Sequence, residues 1–129
     1  MNPLDTFFRI VLGIIFILFG FSKFYAFMPT PPMTPAAANF IAAIISTGYL
    51  WNLVGIIEII GGILVLYQKT TVTGLLILSP IVINIVLYLG FLQYSIGPAP
   101  FLMILFLLVS TCYLACKRLN QWKKLFLPN

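Results

Sequence analysis

Tyr49-Leu-Trp-Asn-Leu-Val-Gly-Ile-Ile-Glu-Ile-Ile-Gly-Gly-Ile-Leu-Val-Leu-Tyr67 decides the fold. Between its two tyrosines stand only two strongly polar side chains, Asn52 and Glu58. A helix at a protein–water boundary needs a polar stripe along its outer face, and this segment has none. Its length of about 28 Å at 1.5 Å per residue is close to the hydrocarbon thickness of a bilayer. The segment reads as a membrane-spanning helix with aromatic residues at both interfaces.

The neighbouring sequence repeats that pattern. A first span covers residues 7–27, a third covers 72–92 with Pro80 inside it, and a fourth covers 100–117. A proline within a spanning helix is tolerated, usually with a kink. The first span ends in Phe21-Ser22-Lys23-Phe24-Tyr25, which is too bulky for a signal-peptide cleavage site, so it stays as an anchor. Between the first two spans, Met28-Pro29-Thr30-Pro31-Pro32-Met33-Thr34-Pro35 interrupts any helix. Residues 36–47 are helical in character but reach only about 18 Å, too short to cross. They read as a short interfacial or re-entrant helix, or as the start of one long tilted helix, with Gly48 as a C-cap. The expected fold is an all-α membrane protein, a four-transmembrane-helix bundle forming a single domain over residues 1–129.

Composition agrees. The chain is 62% hydrophobic and 7% charged, where soluble domains carry about 25% charged residues, and a small soluble fold could not bury so much apolar surface. It has no histidine and only two acids, Asp5 and Glu58, so no metal site is expected and most acid–base chemistry is excluded. Cys112 and Cys116 lie four apart, a spacing that a helix rarely lets close into a disulfide, and they read as small apolar residues. The formal charge of +5 does not indicate nucleic acid, because Lys117, Arg118, Lys123 and Lys124 cluster directly after an apolar run. They read as membrane anchors facing anionic headgroups, and Arg9, one turn into its helix, reads as another that snorkels to the same layer. With four spans, Arg9, Lys69 and that cluster share a side, which predicts both termini cytoplasmic in a multi-pass inner-membrane protein.

The polar groups within the spans have helical phases that converge. Arg9, Gly13, Phe16, Gly20 and Lys23 share an arc of about 80° at 100° per residue. Trp51, Gly55, Glu58 and Gly62 share one on the second span, as do Pro80, Asn84, Tyr88 and Phe91 on the third. Counted from the outer ends, Lys23 lies about 6 Å deep and Glu58 about 14 Å, with Asn84 level with Glu58. Lys23, Glu58 and Asn84 are therefore expected to meet, with Trp51 and Tyr88 beside them. The arrangement has two readings: a polar cross-link that fixes helix register, or a ligand pocket or proton-linked site, since ionisable groups inside a membrane commonly mark function. Leu12–Gly20 and Val54–Gly62 also resemble each other, with Gly, Ile, Ile, Ile and Gly in step. Shared packing needs explain this more simply than duplication.

The pattern Arg9-x3-Gly13-x6-Gly20-x2-Lys23-Phe24, the stretch Phe27–Met33, the block Gly55-x2-Glu58-x2-Gly61-Gly62 and the element Pro80-x3-Asn84 resemble the DoxX-like family of small bacterial membrane proteins. Tyr88-Leu89-Gly90 stand where many members carry a histidine. The resemblance implies a four-helix bundle, and it carries family polar positions onto Arg9, Lys23, Glu58 and Asn84. Relatives include subunits of a thiosulfate:quinone oxidoreductase and factors assisting receptor assembly. It therefore implies a ligand-binding or accessory subunit of a quinone-linked redox system, with quinone as ligand. The partners would be the lipid bilayer and either a second copy or a membrane redox partner. A non-catalytic assembly scaffold and a small proton-coupled transporter are the alternatives. No residue set amounts to an active site of its own.

Overall fold

A computed structural model describes residues 3–25, 33–93 and 97–126. Among these residues stand six α-helices: α1 Pro3–Ser22, α2 Pro35–Ser46, α3 Leu50–Leu66, α4 Thr71–Leu87, α5 Ala99–Cys116 and α6 Leu119–Phe126. A 3₁₀ turn, Gln68–Thr70, leads into α4, and α4 runs on as a π-helical turn, Tyr88–Leu92. No strand occurs among the described residues. Residues 26–32, most of the proline-rich stretch, and 94–96 in the last turn lie outside them.

The protein is an all-α membrane bundle. α1 and the 25-residue helical run Gln68–Leu92 are each long and apolar enough to cross a bilayer. α3 and α5 are about 26 Å and 27 Å long at 1.5 Å per residue. The four apolar helices form a ring, α1 on α3, α3 on α4, α4 on α5, and α5 back on α1. Leu12, Phe16, Val65, Leu75, Leu78, Val82, Leu107 and Leu114 fill its centre. Ile10, Ile14, Ile56, Ile60, Ile63, Leu105 and Leu108 point outward, where lipid would cover them.

Glycine sets the tightest contact. A Cβ on Gly13 would lie 2.8 Å from the Gly62 carbonyl oxygen, and one on Gly20 would lie 2.6 Å from that of Gly55. α1 and α3 therefore touch backbone to backbone at two points seven residues apart, running antiparallel. The similar stretches Leu12–Gly20 and Val54–Gly62 pack against each other, so their shared pattern is one contact made from both sides. Gly74 brings α4 onto α3 in the same way, where a Cβ would come within 2.8 Å of the Gly61 oxygen.

Several boundaries differ from the hydropathy pattern. α1 begins at Pro3, ahead of the expected start, because Asp5 is neutralised within the fold and does not have to remain in water. α1 also ends at Ser22, so Lys23 sits on the turn just beyond the helix. The residues 36–47 form a separate helix and not the start of one long rod: α2 meets α3 at a bend of 94°. Gly48, at φ +87°, makes that turn, a backbone conformation glycine adopts without strain. α6 is a further helix beyond the expected end of the last span. Its Trp122 folds back to donate its indole N–H to the Ala115 carbonyl at 3.0 Å.

Candidate functional site

Lys23 and Glu58 reach each other through the glycine contact. Gly20 and Gly55 hold the ends of α1 and α3 so close that the Lys23 stem lies against Gly55, where a Cβ would fall 3.2 Å from Lys23 Cβ. The ammonium then extends inward and meets Glu58 Oε1 at 2.8 Å. The carboxylate side chain is only 2% exposed and the lysine side chain 13%. Lys23 Nζ also lies 4.8 Å from the centroid of the Trp51 ring, where the electron-rich face attracts a cation. Among the described residues the Lys23 ammonium is the group that faces Glu58 Oε1, which makes no other hydrogen bond. A lysine ammonium has three donors, and this arrangement leaves capacity for a further acceptor.

These groups open onto a cavity of about 590 Å³, walled mainly by apolar side chains. Phe19 and Lys23 come from the end of α1, Trp51, Val54 and Glu58 from α3, and Pro80, Ile81 and Asn84 from α4. α2 covers it with Phe40, Ile41 and Ile44. The Phe40 ring meets Tyr88, also on the wall, at a centroid distance of 5.7 Å. Two bonds fasten the start of α2 across the cavity: Thr34 donates its backbone N–H to Gln93 Oε1 at 2.9 Å and its hydroxyl to the Leu92 carbonyl. The Thr34 hydroxyl also accepts from the Ala37 N–H at 3.1 Å, capping α2.

The structure thus brings Lys23, Glu58, Trp51, Asn84 and Tyr88 to one cavity. Asn84 is an exposed part of its wall, whereas Lys23 and Glu58 form the ion pair. The α2 wall and Gln93 were missed. Gln93 is 5% exposed, and the signal for it was an amide ending an otherwise apolar span.

Arg9 and Arg118, read from the sequence as anchors in the headgroup layer, are buried instead, at 6% and 8% exposure. Both bind Asp5. Arg118 holds the carboxylate with two nitrogens at 2.8 and 3.0 Å, and Arg9 Nε donates to it at 3.1 Å. Arg9 also donates to the Leu66 carbonyl, and Arg118 to that of Leu114 at 3.0 Å. A carboxylate within reach is a better partner for a guanidinium than a snorkelled position, because the fork-shaped pairing satisfies both groups. The cluster joins α1, α3 and the end of α5 on the far side of the bundle from the cavity. Lys117, Lys123 and Lys124 are exposed, with Lys117 resting 5.7 Å from the Tyr113 ring centroid. Cys112 and Cys116 are free and exposed. No metal-binding group of His, Cys, Asp or Glu occurs among the described residues.

An ion pair buried between glycine-packed helices, opening on an apolar cavity, defines a membrane bundle with an internal polar site. A sequence model described as DoxX matches residues 4–91, which include Arg9, Lys23, Glu58, Asn84 and Tyr88. The chain belongs to the DoxX family. Neither a curated protein nor a solved structure gives a match.

Proposed function

We propose that this DoxX-family protein is a ligand-binding accessory subunit of a quinone-linked redox system in the inner membrane, with the cavity beside Lys23 and Glu58 as its binding site. The observation carrying this reading is the cavity itself: its volume lies in the range of small-molecule sites, and it is apolar except for a few convergent polar groups. A quinone headgroup is a flat ring with carbonyl acceptors at opposite edges. Lys23 has donor capacity for one carbonyl, while Trp51, Phe40 and Tyr88 offer ring faces. Bound there, the quinone would supply the two-electron chemistry, and this chain would supply orientation and exclusion of water. Electron transfer would fall to a redox partner, with this chain holding and orienting the ligand.

Trp51 supplies a direct test. Quinones quench indole fluorescence at short range, so a water-soluble ubiquinone analogue titrated into detergent-purified protein should quench saturably. Trp51→Phe should remove that component, and the pair Lys23→Met with Glu58→Leu should weaken binding at least tenfold. Linear quenching, equal in the wild type and the double variant, would mean simple partition into detergent and would defeat the proposal.

A second reading treats the ion pair as a register lock in an assembly scaffold. The glycine contacts around it favour that role, and it predicts that the same double variant keeps biological function. A proton-coupled transporter fits less well, because Lys23 already neutralises the carboxylate such a mechanism would need. For orientation, the exposed Lys69, Lys117, Lys123 and Lys124 favour cytoplasmic termini. Reporter fusions at either end should then be active in the cytoplasm, and an exported reporter at either terminus would reverse the assignment.

A further inference from the structure

The Asp5 cluster has a charge imbalance. Two guanidiniums, Arg9 and Arg118, share one carboxylate in surroundings that leave all three less than a tenth exposed. The Leu66 and Leu114 carbonyls accept from them but carry no formal charge. Buried charge is costly unless it is balanced, so a surplus of one positive charge at this place favours an anion nearby.

A cleft adjoins it. About 670 Å³ of open space lies where α1 meets the end of α3, and Arg9 and Lys69 both line it. Gln68 and Tyr67 give its rim hydrogen-bond donors, and Ile63 and Leu66 carry an apolar wall from the rim along α3. Ile63 is 43% exposed on the outer surface of the bundle, so that wall faces the lipid side. The cleft thus combines two cations and polar donors at one end with an apolar track leading toward the hydrocarbon.

We infer that this cleft is a binding site for a phosphate-bearing anion, seated between Arg9 and Lys69, and that an anionic phospholipid is the source that also uses the apolar wall. The site is independent of the quinone reading, because it lies at the other end of the bundle and shares no residue with that cavity. It also differs from headgroup anchoring by a snorkelled arginine: Arg9 stays buried, and the cleft brings the phosphate to it.

Native mass spectrometry and thermal melting of detergent-purified protein test the inference, using phosphatidylglycerol, phosphatidylcholine and inorganic phosphate as probes. Lys69→Glu is the informative variant, since Lys69 is exposed and substitutions at exposed side chains usually change stability little, which its melting midpoint without added ligand checks. Lys123→Glu with Lys124→Glu controls for general attraction to basic surface. The expected result is one retained phosphatidylglycerol per chain, at least fivefold preferred over phosphatidylcholine. Occupancy should fall at least fivefold in Lys69→Glu and hold in the control. Inorganic phosphate raising the melting midpoint of the wild type but not of Lys69→Glu, with no lipid retained, would support the site with free phosphate as its source. Lipid retention unchanged by Lys69→Glu, or lost only in the Lys123 and Lys124 control, would overturn it, as would no response to any probe.

Discussion

If Lys23 loses its ammonium, the Glu58 carboxylate is left 2% exposed with no charge beside it, and a buried ion without its partner is among the costliest defects a fold can carry. Lys23→Met is therefore expected to lower stability by about 3 kcal/mol or more, by analogy with broken buried pairs. Adding Glu58→Leu should recover most of the loss, since replacing both members by apolar groups is often neutral. Denaturation in detergent of the two single variants and the double variant measures the coupling; strictly additive losses would show that the pair contributes nothing as a pair. Lys123→Ala, on an exposed side chain, should by contrast fall within about 0.5 kcal/mol of wild type. The meeting of Lys23 with Glu58 was legible from helical phase, because each shares an arc with the glycines that bring the backbones together. The fate of Arg9 was not. Its distance from the helix end pointed to water, while its real partners are a carboxylate one turn away and a carbonyl 57 residues on.

Two glycines separate packing from conformation. In Gly62→Ala the new Cβ would meet the Gly13 oxygen at 2.7 Å and Ile17 at 2.9 Å, so α1 and α3 must move apart. Overpacking of this kind costs about 1–3 kcal/mol, and the shift would also loosen the cavity between the two helices. Gly90→Ala should be neutral or slightly stabilising, because the nearest atom would be 3.8 Å away and alanine is the better helix former. Melting midpoints of the two variants give the comparison; equal losses would remove the backbone contact as the explanation. The apolar helices were legible because each is a long run with its own end signals. α2's sharp bend and its fastening to Gln93 were not, because they depend on which distant atoms Thr34 meets once the bundle has formed. α6 was not legible for a different reason: a short segment with exposed lysines suits a basic tail as well as a helix.

The ring of helices is closed by two polar devices, one near each end, and they differ in reach. Lys23–Glu58 ties neighbours α1 and α3, which already touch through glycine. The Asp5 cluster ties α1, α3 and α5, and among the described residues it is the ion-paired link between the first and last apolar helices. Asp5→Asn would leave two guanidiniums sharing a neutral amide, and should destabilise the bundle by about 3 kcal/mol, as for other buried pairs broken from one side. Limited proteolysis should then cut the α5–α6 junction first; cleavage elsewhere at the wild-type rate, with that junction protected, would contradict the role given to the cluster. Asp5 and Arg118 are 113 residues apart. During synthesis Asp5 meets Arg9 at once, four residues on in the same helix, whereas Arg118 is added only after nearly the whole bundle has been translated. Until then Asp5 is paired with Arg9 alone, so the bond that ties the first helix to the last is among the final links the growing chain can make.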